Sequence, residues 1–299
     1  MALTYPEAIV VGLVQGVTEL FPVSSLGHSV LVPALIGGRW ARDLDVSAPE
    51  SPYLAFIVGL HVATAIALLI FFRSDWARII RGFVTSLRRR RVSTPDERLA
   101  WLIVLATIPV GVAGVLLEHT FRTVLGRPAP AASFLVVNGL VLLLGERLRR
   151  TTPEEVPAPA GRVATEVDAD RRLATLSVPS ALLIGSTQIL ALLPGISRSG
   201  AAMTGGLVRG LDHADAARFS FLLATPVILA AGVLKLPDLA GPLGAGIHGQ
   251  VLVGSVVSGL GAYASVRWLT RWFSTRTLTP FAIYCLLAGA ASLAVLAVR

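Results

Sequence analysis

The chain has 299 residues, of which 54% are hydrophobic and only 15% charged, whereas soluble domains carry roughly 25% charged residues. With a mean hydropathy of +0.72, this balance excludes a disordered chain, a disulfide-built secreted scaffold and an ordinary soluble enzyme. Cys285 is the only cysteine, so there is no internal disulfide and no cysteine-based metal cluster, and the net charge of +8 comes in short arginine-rich stretches between long apolar runs, the pattern of loops flanking membrane spans rather than of a nucleic-acid-binding surface.

The opening residues, MALTYPEAIVVGLVQGVTE, lack a basic n-region and carry Glu7, Gln15 and Glu19 through the apolar stretch. They do not read as a cleavable signal, and the N-terminus is expected to be retained. The first apolar stretch, 5–36, is interrupted at Phe21-Pro22-Val23-Ser24-Ser25-Leu26-Gly27-His28. Proline and glycine break helices. In lipid, the freed backbone groups survive only if buried in protein or facing a wet cavity. The stretch therefore reads as two half-helices in a re-entrant hairpin.

A bilayer span needs roughly 20 mostly apolar residues. Runs at 53–72, 99–117 and 131–146 meet that test. The polar segment 151–172 follows and reads as a mobile connector. A second interrupted stretch, 176–210, breaks at Pro194-Gly195-Ile196-Ser197-Arg198-Ser199-Gly200, and spans at 215–234, 250–267 and 279–298 complete the chain. The arginine run at 88–91 resembles nucleic-acid signal material, but beside spans it fits anionic headgroups.

Segments 73–98, 146–172, 205–218 and 267–278 together hold 19 of the 26 basic residues, and the alternate segments with the C-terminus hold 6. The asymmetry puts the first set in the cytoplasm. The first hairpin then enters from outside and the second from the cytoplasm. The expected architecture is an all-α polytopic membrane protein with an inverted-topology repeat, six full spans and two re-entrant hairpins. Its units are 1–150, a linker at 151–172, and 173–299. Local echoes agree: Gln15 precedes Leu20-Phe21-Pro22, and Gln188 precedes Leu192-Leu193-Pro194. In such folds the broken helices meet near the midplane and build the site.

Ionisable groups inside a membrane are costly and read as functional. Glu19 lies four residues after Gln15, on the same helical face. It suits three roles: cation ligand, base, or orienter of His28. His28 suits proton transfer. Ser24 and Ser25 suit a helix cap and a nucleophile. Arg198 needs an anion, and with Ser197, Ser199, Gly195 and Gly200 it reads as an oxyanion cradle opening a helix. The bland alternative is a structural ion pair between Arg198 and Glu19. His61 and Asn138 read as interhelical hydrogen-bonding groups. These readings point to a phosphate ligand and leave open whether it is hydrolysed or moved.

Gln15-x-x-x-Glu19, Pro22-Val23-Ser24-Ser25-Leu26-Gly27-His28 and Pro194-Gly195-Ile196-Ser197-Arg198-Ser199-Gly200 resemble the bacterial undecaprenyl-diphosphate phosphatases, also called bacitracin resistance proteins. The likeness extends through ALLIGSTQILALLPGISRSG and ARFSFLLATPVILAAGVL. It implies a plasma-membrane hydrolase that recycles the lipid carrier of cell-wall synthesis. It further implies an outward-facing site and a divalent cation, Mg²⁺ or Ca²⁺. On that resemblance Glu19, Ser25, His28 and Arg198 are catalytic. Gln15, Ser24, Gly27, Gly195, Ser197, Arg198, Ser199 and Gly200 bind substrate, and Glu19 with Gln15 holds the metal. The implied partners are undecaprenyl diphosphate and membrane lipid, not nucleic acid; a homodimer is left open beside a monomer. Two positions depart from the family pattern: Leu26 and Ala202 stand where threonine is usual, and Thr204 lies about 200° further round a helix from Ala202. The competing readings are a polyprenyl-phosphate flippase or small-molecule transporter, and a non-catalytic scaffold. An acid-phosphatase-like lipid phosphatase fails, because Lys235 is the only lysine and follows Arg198.

Overall fold

The computed structural model describes residues 3–47, 52–149 and 166–298. Most of the expected connector, residues 151–165, lies outside the described residues. Among the described residues the fold is all-helical, with no strand. Helices α1 (Tyr5–Thr18), α2 (Ser25–Ile36) and α3 (Gly38–Asp43) come first. Then follow α4 (Pro52–Phe71), α5 (Arg73–Arg89), α6 (Pro95–Leu125) and α7 (Pro128–Leu148). After the undescribed segment come α8 (Glu166–Ala174), α9 (Val178–Thr187), α10 (Arg198–Val208), α11 (His213–Ala240), α12 (His248–Trp272) and α13 (Thr279–Val298).

Among the described residues six helices are long and apolar enough to cross a membrane: α4, α6, α7, α11, α12 and α13. They fall where the apolar runs place them. The longest, α6, has 31 residues, about 46 Å at 1.5 Å per residue, well beyond a hydrocarbon core of about 30 Å. Its start is set by a capping box: Glu97 accepts from the backbone N–H of Ser93 and Thr94 at 2.6 and 3.1 Å, and Thr94 Oγ1 caps the Glu97 N–H.

Two segments read as loops are helical. Most of 73–98 forms α5, whose arginines alternate with an apolar face carrying Trp76, Ile79 and Phe83 against α6. Residues 166–172, assigned to the connector, belong to α8, where Asp170 and Leu173 are buried. The reason is electrostatic. Asp170 accepts from Arg78 of α5 and, at 2.8 Å, from Arg218 of α11. Arg218 also reaches Asp75 at 3.0 Å, and Arg172 binds Asp215 through two bonds of 2.7 Å. Charges read from sequence as solvated belong to a buried lattice joining α5, α8 and α11.

This lattice lies at one end of the bundle. There Glu146, closing α7, accepts from the Leu278 N–H at 2.6 Å and contacts His213 at 2.9 Å. The end of α7 is thus tied to the starts of α11 and α13. At the other end Gln250 donates to the Leu3 carbonyl at 2.9 Å, and Arg122 donates to the Val46 carbonyl at 2.8 Å.

The helices that precede the breaks pack unusually closely on spans. A Cβ on Gly16 of α1 would collide with the Ser258 carbonyl of α12, and one on Gly185 of α9 with the Ala106 carbonyl of α6. Such approaches are how helices pack where lipid supplies no hydrophobic drive. Gly16→Val is expected to destabilise the protein by about 1–3 kcal/mol through overpacking. Gly111→Ala, which meets open space, should leave thermal unfolding in detergent unchanged.

Candidate active site

The two breaks are built alike. Helix α1 stops at Thr18 with Glu19 as its C-cap, and Pro22 has no N–H to carry the helix on. Ser24 then turns the chain with φ of +70°, a costly conformation for a residue with a Cβ. Its Oγ accepts from the Gly27 and Gly195 N–H groups, both at 3.2 Å, and its carbonyl accepts from the ring of His28 at 2.7 Å. In the second break Gly195 has φ of +112°, and Ser197 caps α10 by accepting from the Gly200 N–H at 3.1 Å. Each half-helix thus opens on Ser-x-x-Gly: Ser24-Ser25-Leu26-Gly27 and Ser197-Arg198-Ser199-Gly200.

The breaks touch each other. A Cβ on Gly27 would lie 2.9 Å from the Gly195 Cα. The Phe21 carbonyl accepts from the hydroxyls of Ser197 and Ser199 at 3.4 and 3.2 Å. Asn138 of α7 bridges them, donating to the Pro22 carbonyl at 3.0 Å and accepting from the Ser197 N–H at 2.9 Å. The N-termini of α2 and α10, each carrying partial positive charge and unpaired N–H groups, come together here.

Glu19 is the centre of the constellation, 6% exposed. Its Oε1 accepts from Arg198 Nη2 at 3.0 Å. Its Oε2 accepts from Ser25 Oγ at 2.5 Å and from Gln15 Nε2 at 2.9 Å, and lies 3.3 Å from His61 Nε2. His61 is oriented by its other nitrogen, which donates to the Ile57 carbonyl at 2.9 Å. Within this cluster two of the buried side-chain atoms that lack a hydrogen-bond partner are Arg198 Nη1, a donor, and Gln15 Oε1, an acceptor. A cluster that buries an unsatisfied cationic donor and an unsatisfied oxygen around one carboxylate is suited to a ligand that supplies partners for them.

Gln15, Glu19, Ser25 and Arg198, expected to act together, are therefore in one hydrogen-bonded cluster. The expected ion pair between Arg198 and Glu19 is also present, and it uses one guanidinium nitrogen only. Ser24, Gly27, Gly195 and Gly200 form the joint between breaks, while Ser197 and Ser199 place their hydroxyls on the Phe21 carbonyl. The ring nitrogens of His28, three residues after Ser25 on α2, are turned to other partners. Its Nδ1 meets the Ser24 carbonyl, and its Nε2 meets Tyr284 Oη at 2.7 Å. Thr204 is apart from the cluster, packed at Gly145 of α7.

His61 was read as an interhelical group, which it is, but its partner is Glu19. Asn138 too is interhelical, and its partners are the two breaks. The sequence signal for both was the same: a polar side chain in an otherwise apolar span. Tyr284 carried no signal, since a lone tyrosine in a span is ordinary.

The family model described as bacitracin resistance protein BacA matches residues 8–291. The chain is 66% identical to a protein of Mycolicibacterium paratuberculosis named undecaprenyl-diphosphatase, over 99% of each chain. It is 55% identical to undecaprenyl-diphosphatase 1 of Frankia casuarinae over 96% of each. It is 44% identical to undecaprenyl-diphosphatase 2 of Chromobacterium violaceum over 96% of this chain and 97% of that one. A polytopic helical membrane protein whose two helix breaks converge on one carboxylate and one arginine, this chain belongs to the bacitracin resistance protein BacA family.

Proposed function

We propose that this protein removes the terminal phosphate of undecaprenyl diphosphate, giving undecaprenyl phosphate for another round of cell-wall synthesis. The observation that carries the reading is the cluster on Glu19, with Arg198 Nη1 left over for an anion. The 66% identity to an undecaprenyl-diphosphatase supports it.

In this reading Arg198 and the N–H groups at the starts of α2 and α10 bind the terminal phosphate. Ser25 Oγ, or a water in its place, forms a bond to the terminal phosphorus. The bond from that phosphorus to the bridging oxygen breaks in line, and undecaprenyl phosphate leaves. The attacker's proton passes to Glu19, which already accepts the Ser25 hydroxyl. If Ser25 is phosphorylated, water releases the phosphate in a second step. His28, expected to carry a proton, acts in this geometry by holding the Ser24 carbonyl and so the turn that presents Ser25.

A divalent cation fits the donor set. Glu19 and the unpartnered Gln15 Oε1 are hard oxygen donors. No group of three or more His, Cys, Asp or Glu that could hold a metal is found among the described residues. Two protein oxygens completed by water and substrate phosphates is a usual arrangement for Mg²⁺. When bound, the ion would neutralise charge on the phosphate oxygens.

The chain is further read as an inverted repeat of the plasma membrane, 1–150 and 173–299, with re-entrant hairpins α1–α2 and α9–α10. Helix pairings support this. Exchanging the halves maps α1 on α12 onto α9 on α6, and α2 on α13 onto α10 on α7, while α4–α11 and α7–α13 map onto themselves. The gathering of arginine-rich connections at the ion-pair end supports that end as cytoplasmic, and the site is read as opening to the other side.

Phosphate release from undecaprenyl diphosphate by purified protein, assayed with Mg²⁺ or Ca²⁺, is the direct test. Arg198→Ala and Glu19→Gln should each lower kcat by about 10²-fold or more. Near-normal turnover by Ser25→Ala would assign the attack to water. No release from folded wild-type protein under either metal would turn the reading toward transport of a polyprenyl phosphate, which inverted repeats also serve. For orientation, in a Cys285→Ser background, an impermeant maleimide should label Arg127→Cys in intact cells and Ser74→Cys only after permeabilisation.

A further inference from the structure

We infer that Asn138 is a positioning residue for catalysis, a splint from α7 that sets the spacing between the two halves of the site. It touches neither Glu19 nor Arg198. It binds the backbone groups that the breaks set free. The inference rests on the phosphatase reading above.

The site is divided between two chain segments 179 residues apart, Glu19 and Arg198. Nothing covalent fixes their separation. Ser25 sits on the first half-helix and Arg198 at the start of the second, so the distance from attacker to anion clamp equals the offset between the breaks. Asn138 is fully buried. Its amide donates to the Pro22 carbonyl, three residues from both Glu19 and Ser25, and its oxygen accepts from the N–H of Ser197, the residue before Arg198. The same amide nitrogen lies 3.3 Å from Cys285 Sγ of α13, which fixes its rotation. A carboxamide can hold a carbonyl on one side and an N–H on the other because it carries both a donor and an acceptor in one plane. Aspartate lacks the donor, and a hydroxyl reaches at most one break with full geometry.

The remaining bonds to the breaks' backbone are weaker guides to spacing, and the 3.0 Å Arg198–Glu19 pair joins two long side chains whose rotamers can absorb a backbone offset. The bonds from Ser197 and Ser199 to the Phe21 carbonyl are 3.4 and 3.2 Å, and that from the Gly195 N–H to Ser24 Oγ is 3.2 Å. All are longer than either Asn138 bond to the backbone. Without the splint the breaks stay in contact while their offset is free to change. Misplacement of about 1 Å costs about 10²-fold in rate. Of the groups placed on the phosphate, Arg198 and the α10 N–H groups move as one body and carry the charge-assisted bonds, and only the α2 N–H groups shift with the offset. Loss of Asn138 should therefore appear in kcat and not in KM.

The experiment compares wild type, Asn138→Ala and Asn138→Ser in detergent, using undecaprenyl diphosphate with Mg²⁺. Expected are a fall in kcat of about 10²-fold with KM within about threefold, and faster amide exchange by mass spectrometry at both 20–25 and 194–199. The effect should also be non-additive with Arg198→Lys, because both act on the same spacing. Retention of kcat within about threefold, or unchanged exchange at both breaks, would overturn the inference, as would full additivity with Arg198→Lys. Should the alanine variant not fold, the serine variant is read by the same criteria. Wild-type turnover in the same assay reports separately on the phosphatase reading, and the exchange measurement tests the splint even if that turnover is absent.

Discussion

Everything at this site depends on the cost of unpaired backbone groups inside a membrane. Two helices are interrupted among apolar spans, and each interruption frees carbonyls and N–H groups that lipid cannot satisfy. The breaks solve the problem jointly. The Phe21 carbonyl of one takes hydroxyls from the other, Ser24 Oγ takes the Gly195 N–H, and Asn138 takes one group from each. Convergence of the polar side chains follows. Glu19 and Ser25 flank the first break and Arg198 opens the second half-helix, so pairing the backbones brings these side chains together.

The same constraint shapes the electrostatics. A buried carboxylate and a buried guanidinium each need compensation. They compensate one another through a single bond of 3.0 Å, not a bidentate pair. Glu19 spends its other oxygen on Ser25 and Gln15, and Arg198 keeps Nη1 unpaired. A closed bidentate ion pair would be a structural element. This half-open one leaves the cation able to take an anion's oxygen without releasing the carboxylate that holds the Ser25 hydroxyl.

The spans were legible because hydropathy over about 20 residues is a property of the chain itself. The breaks were legible because proline and glycine act locally. So was the cluster of Gln15, Glu19, Ser25 and Arg198, since each is a polar group with no local reason to sit in an apolar stretch. What could not be read was pairing across the fold. His61 meets Glu19 from 42 residues away, and His28 turns to Tyr284 from 256; no period or spacing encodes either. Helices α5 and α8 escaped for a related reason. Their charges look solvated in sequence, and only the tertiary lattice of Asp75, Arg78, Asp170 and Arg218 makes them interior.

That lattice also bears on the choice between hydrolysis and transport. Alternating access requires one repeat to rock against the other around a fixed site. Here α5 is bound to α11 directly, and to α8 at the end of the linker, through buried carboxylates, Asp75 and Asp170, each contacted by two arginines. Parting a buried pair leaves each charge uncompensated unless water or another partner reaches it. The breaks are stitched together as well, so a rocking motion would have to undo bonds at both the site and the clamped end. A hydrolase needs neither movement: its lipid substrate reaches the site by lateral diffusion and its phosphate leaves through one opening. The arrangement of ion pairs thus favours a single static site, and with it the chemistry of phosphate removal over carriage across the bilayer.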